Sequence, residues 1–91
     1  MSDYKLIHNE AEYQYEYYFL AQLMYKEKEK EGVLHLTHIL VQKGLGGRGI
    51  AGALVKDVFE EIKKRELKMR PACSYIVAYV EKHPEYKTLE A

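Results

Sequence analysis

The sequence predicts an α/β-type or α+β sandwich, on three observations. The run Val33 to Val41 is apolar on both faces when read as a strand, Gly49 to Arg65 has the apolar stripe of an amphipathic helix, and a glycine-rich stretch joins the two. A strand buried on both faces needs helices or a second layer on each side.

Taken in order, Tyr4–His8 reads as a short edge strand and Asn9–Ala11 as a turn. From Glu12 to Tyr17, charged or amide residues alternate with tyrosines, which gives a strand with one aromatic and one wet face. Phe19–Tyr25 continues in β-compatible residues, with Phe19, Ala21, Leu23 and Tyr25 on one face and Leu20, Gln22 and Met24 on the other. A helical reading of this stretch is open, because Leu, Ala, Gln and Met favour helices, but its aromatic density and the hairpin-like segment after it favour the strand. The alternating charges of Lys26–Glu31, closed by Gly32, make a solvated turn.

In the central strand, Leu34, Leu36, His38 and Leu40 are expected on one side, with Val33, His35, Thr37, Ile39 and Val41 on the other. His35, offset by three, therefore points away from His38. The helix over 49–65 carries Ile50, Ala51, Leu54, Val55, Val58, Phe59 and Ile62 at three- and four-residue spacing, and lysines and acids cover its opposite face. Leu67–Arg70 is a short strand parallel to the central one by a right-handed crossover, and Pro71 stops it. Ser74–Lys82 forms a second helix, ended by Pro84, while the tail Glu85–Ala91 shows no strong pattern.

With 91 residues, the chain is expected to be one domain over 1–91. Lys plus Arg and Asp plus Glu number 14 each, so no net field attracts nucleic acid or anionic lipid, and no apolar run is long enough to span a membrane. One cysteine cannot form an internal disulfide and no charged-then-apolar leader opens the sequence. Both facts lead to the expectation of a soluble protein of a reducing compartment, taken as cytoplasmic; a monomer or homodimer without metal is expected.

Four glycines among Gly44–Gly49 allow positive φ and let main-chain N–H groups approach a ligand, and a helix starting at Gly49 or Ile50 adds its unpaired first-turn amides. This suits a phosphate or pyrophosphate, with Arg48 adding charge; the alternative is a flexible turn that binds nothing. Gly44-Leu45-Gly46-Gly47-Arg48-Gly49 satisfies the dinucleotide fingerprint formally, but Pro71-Ala72-Cys73 stands where its ribose-binding acid belongs. The Walker pattern also fails, since no Gly-Lys-Ser/Thr closes the loop.

His38-Ile39-Leu40-Val41, Leu45-Gly46-Gly47-Arg48-Gly49-Ile50-Ala51, Pro71-Ala72-Cys73-Ser74-Tyr75 with Tyr79, and His83-Pro84-Glu85-Tyr86 stand in an order that resembles the small, single-domain branch of the GCN5-related N-acetyltransferases. The resemblance implies a mixed, mainly antiparallel sheet whose central strands splay to admit acetyl-coenzyme A, with a main helix after the glycine loop and a second, C-terminal helix. The pyrophosphate would rest on Leu45, Gly46, Gly47, Arg48, Gly49, Ile50 and Ala51. Gly49 and Ala51 fit the last two fixed positions of the family loop Gln/Arg-x-x-Gly-x-Gly/Ala, and Gly46 replaces the Gln or Arg. Leu40, Val41 and Cys73 would line the donor, with unpaired amides near residues 38 to 41 polarising its carbonyl.

His38, on the central strand, is the candidate for removing a proton from the amine, and Cys73, at the start of the second helix, for holding the acetyl group or lining the channel. The plainer alternatives are a structural histidine and a small buried thiol. The strand reads His38-Ile39 where the family often has His-Thr. His83 and Tyr86 read as a helix stop and packing cluster. The expected function is acetyl-coenzyme A-dependent transfer to an amine, on a protein or peptide or otherwise; the alternative is a non-catalytic coenzyme A or acyl-coenzyme A binding module acting through a protein partner. There is little room for the two helices that build the acceptor pocket in larger relatives.

Overall fold

Alternating tyrosines seat the first strands on the core. In the computed structural model, which describes residues 4–17, 20–27, 32–43 and 49–91, Tyr15 and Tyr17 are fully buried while Gln14 and Glu16 stand on the opposite face. The strands are β1 (Leu6–Asn9), β2 (Gln14–Tyr17), β3 (Ala21–Glu27), β4 (Val33–Val41) and β5 (Lys68–Pro71). They form one sheet in the order β1-β2-β3-β4-β5, antiparallel through β4 and parallel between β4 and β5. Helix α1 (Ile50–Lys64) makes the crossover between β4 and β5, and α2 (Ser74–Lys82) follows β5.

Local chemistry explains where the boundaries differ from expectation. β2 starts at Gln14 because Glu10–Glu12 forms a 3-10 turn, capped by the Asn9 side chain, and Tyr13 takes a positive φ of 53°. β3 runs on through Lys26 and Glu27, so the head of the charge run pairs with Leu34 and His35 instead of turning. Phe19 and the remainder of that run, residues 28–31, lie outside the described residues.

α1 ends in a reciprocal pair of bonds, Glu66 N–H to the Lys63 carbonyl and Leu67 N–H to the Ile62 carbonyl, with Glu66 left-handed at φ 56°. Its Ile50, Leu54, Val55, Val58, Phe59 and Ile62 are buried, as the periodicity requires. Pro71 pairs with Leu36 as the last residue of β5 rather than lying beyond it. The tail forms a 3-10 turn over Pro84–Leu89 that buries Tyr86 and Leu89. Residues Glu90 and Ala91 then lie along β5, with the Ala91 N–H donating to the Met69 carbonyl at 3.0 Å.

Both helices and the tail share one core with Tyr15, Tyr17, Leu23, Leu36 and Met69. The expected second layer on each side is therefore corrected: the helices cover one face, and the face bearing Gln22, Met24, His35 and Arg70 is open. The physical reason is a slip within β4.

Candidate functional site

The β3–β4 ladder pairs Tyr25 with Leu36 and Met24 with His38, leaving Thr37 as the extra residue of a β-bulge. The Thr37 hydroxyl donates to the Met24 carbonyl at 3.3 Å. Because side chains alternate, one extra residue swaps the faces of all that follows. Leu34 and Leu36 are buried under the helices, Ile39 and Val41 take over the inward positions, and His38 and Leu40 are exposed, Leu40 by 53%. The expectation that His38 and Leu40 share a face with Leu34 and Leu36 is thus overturned, as is the separation of His35 from His38: both imidazoles stand on the open face.

β5 accompanies β4 only from Val33 to Leu36, and the edge closes with the Ala72 N–H donating to the Leu36 carbonyl at 2.9 Å. Beyond that bond β5 turns into α2 while β4 continues to Val41, so the two strands part. On the other edge the Gln42 N–H donates to the Leu20 carbonyl at 2.7 Å. Alternation then directs the main-chain groups of His38 and Leu40 toward β3 and those of Ile39 and Val41 into the gap.

At the end of β4 the chain leads to α1. Leu45, Gly46, Gly47 and Arg48 lie outside the described residues. Gly49 is exposed and left-handed at φ 73°, and no side chain caps the helix. Its carbonyl accepts the Ala53 N–H at 3.0 Å as the first bond of the helix, so the amides of Ile50, Ala51 and Gly52 have no partner within α1. Ile50 is buried and Ala51 half-buried, so their contribution to an anion would be main-chain only. A Cβ on Gly52 would lie 3.6 Å from Tyr75 Oη and 3.8 Å from a Tyr79 ring carbon. The motif from Pro71 to Tyr75 assigns Tyr75 no role, yet the structure sets its hydroxyl beside the first turn of α1. The signal available was the four-residue spacing of Tyr75 and Tyr79 on one stripe of α2.

Cys73 is a half-buried free thiol at the N-cap of α2, in extended backbone, packed against the core. It therefore sits on the helix side of the gap and His38 on the open side, and the two do not meet. His83 caps α2 with its N–H on the Tyr79 carbonyl, and its ring packs on Tyr79 at 4.2 Å. Tyr86 donates to Glu60 Oε2 at 2.8 Å, and burial first, then that bond, pushes its phenol well above the ordinary range.

Alongside β4 a cleft of about 410 Å³ opens between the ends of β2, β3 and β4, with Glu16, Gln22, Leu40 and Gln42 among its walls. Among the described residues no group of three His, Cys, Asp or Glu side chains is placed to hold a metal ion, and no helix is long and apolar enough to cross a membrane.

No curated protein matches the sequence. The fold is similar to the solution NMR structure of a GCN5-like candidate N-acetyltransferase from Staphylococcus aureus, with a TM-score of 0.72 and 25% identity over 100% of this chain and 91% of that one. A sequence model described as GCN5-related N-acetyl-transferase matches residues 9–89. With the mixed sheet, the parted strands and that match in place, the chain belongs to the GCN5-related N-acetyltransferase family.

Proposed function

We propose that the protein transfers an acetyl group from acetyl-coenzyme A to an amine. The observation that carries this reading is the parting of β4 from β5 just beyond Leu36, with the bulge at Thr37. It supplies two main-chain donors, the Ile39 and Val41 amides, along an edge where an extended pantetheine chain can pair as a strand would. A carbonyl held against such an amide is polarised toward attack.

The diphosphate is assigned to the loop from Leu45 to Ala51, where the first-turn amides of α1 face an anion and the Tyr75 hydroxyl adds a donor. Leu40 and Val41 flank the thioester and Cys73 lines the channel from the helix side. The acceptor approaches from the open face, where His38 takes the proton as the amine nitrogen bonds to the carbonyl carbon and the carbon–sulfur bond breaks. A cytoplasmic location suits the unpaired thiol of Cys73.

The test is release of free coenzyme A thiol from acetyl-coenzyme A across a panel of amines and lysine peptides. His38→Ala is expected to lower turnover by about 10²-fold or more with thermal stability retained. Acetyl-coenzyme A at 100 times its Kd is expected to stabilise the fold by about 2.7 kcal/mol. Absence of both thiol release and thermal stabilisation would sink the proposal. A labile acetyl adduct on Cys73, read by intact mass, would give that residue a covalent role instead of a lining one.

A further inference from the structure

We infer that the cleft beside β4 selects an acceptor carrying a second cationic centre about 12 Å from the reacting amine, held by Glu16. The inference rests on the acetyltransferase reading for the reacting end and on independent geometry for the other. Glu16, Gln22 and Leu40 are cross-strand neighbours in one row, since Glu16 pairs with Gln22 and Gln22 with Leu40. All three stand on the open face and line the cleft. Two strand spacings separate Glu16 from Leu40, about 10 Å, and His38 is the next residue on that face, about 7 Å further along β4.

The carboxylate is fixed rather than free. Gln14 Nε2 donates to Glu16 Oε2 at 2.6 Å, which orients the group and leaves the other oxygen unused. Among the described residues no Lys, Arg or His side chain pairs with Glu16, so it faces the cleft without a described cation of its own. An anion held by a neutral amide in a half-buried cleft is complemented by an ammonium or guanidinium. Between it and the gap the floor is the exposed Leu40 side chain, which suits methylene groups. A polyamine-like chain or a lysine with a basic neighbour satisfies all three elements: cation at Glu16, aliphatic span over Leu40, neutral amine at the gap.

The experiment compares octamethylenediamine with octylamine and with tetramethylenediamine. Two readouts are taken: amide shifts of Gln22, Leu40 and Gln42 in two-dimensional NMR without cofactor, and KM in the thiol-release assay. The long diamine is expected to shift those amides and to show a KM about tenfold below that of octylamine. Glu16→Gln should bring the two within twofold, and Gln22→Lys, which places a competing cation in the cleft, should do the same while the spectrum stays dispersed. Shifts without any turnover would support the cleft and count against the acetyltransferase reading. Turnover with equal KM for octylamine and the long diamine, or no shift at Gln22, Leu40 and Gln42, would overturn this inference whatever becomes of that reading.

Discussion

Gly49 holds φ at 73° with nothing within 4 Å of where a Cβ would stand. A side chain there meets open space, so the penalty is conformational alone, about 1–2 kcal/mol for the left-handed backbone. Gly49→Ala is therefore expected to fold and to lose that much stability in urea denaturation, with Gly49→Asn losing less. His8 shows the opposite case, a side chain fixed by its partners. Arg65 Nη1, which can only donate, sits 3.2 Å from His8 Nδ1, so the ring carries its proton on Nε2 and donates it to Tyr25 Oη at 2.6 Å. Burial holds this imidazole below its ordinary 6.5, Arg65 adds to the lowering, and Glu10 and Glu61 oppose it. The unfolded chain therefore binds more protons at this site, and the stability it contributes is complete above about pH 6.5 and lost as the pH falls toward the folded value. The melting temperature should drop on acidification through this range, and His8→Gln should flatten the dependence; an equal slope in both proteins would refute the assignment.

Among the elements, β4 shows what a sequence states and what it withholds. Its span, Val33–Val41, matches the expected strand, as do the α2 span Ser74–Lys82 and the buried stripe of α1. Hydrophobic period is a local property, and these segments are long enough to display it. The bulge at Thr37 is not local, because it depends on the register of β3 against β4, and nothing in the string His35 to His38 marks it. From that one omission followed the misplacement of His38, Ile39, Leu40 and Val41, and the expectation of a second layer over a face that the slip turns polar. The family motif fixes only the order of these segments along the chain, whereas the side of the sheet on which His38 stands depends on the β3–β4 register. Deleting Thr37 removes the bulge and makes the Leu36–Tyr25 and His38–Met24 pairs consecutive, so His38 and Leu40 keep the open face and Ile39 and Val41 the inner one. Such a deletion is expected to keep a cooperative urea transition, and Thr37→Val, losing only the bond to Met24, should cost about 1 kcal/mol.

At the scale of the whole molecule, one layer of helices over a five-strand sheet leaves the opposite face to other roles. The sheet also has two outer margins, and they are treated differently. Along β5, Glu90 and Ala91 run beside Met69, and the Lys68 ammonium reaches the Thr88 carbonyl at 2.8 Å. These last residues act as a hem: they occupy main-chain groups that would otherwise template another chain. Trimming Glu90 and Ala91 alone would unpick it. The expected result is concentration-dependent self-association through β5, visible as a rising mass in light scattering, from a protein whose core residues are all still in place.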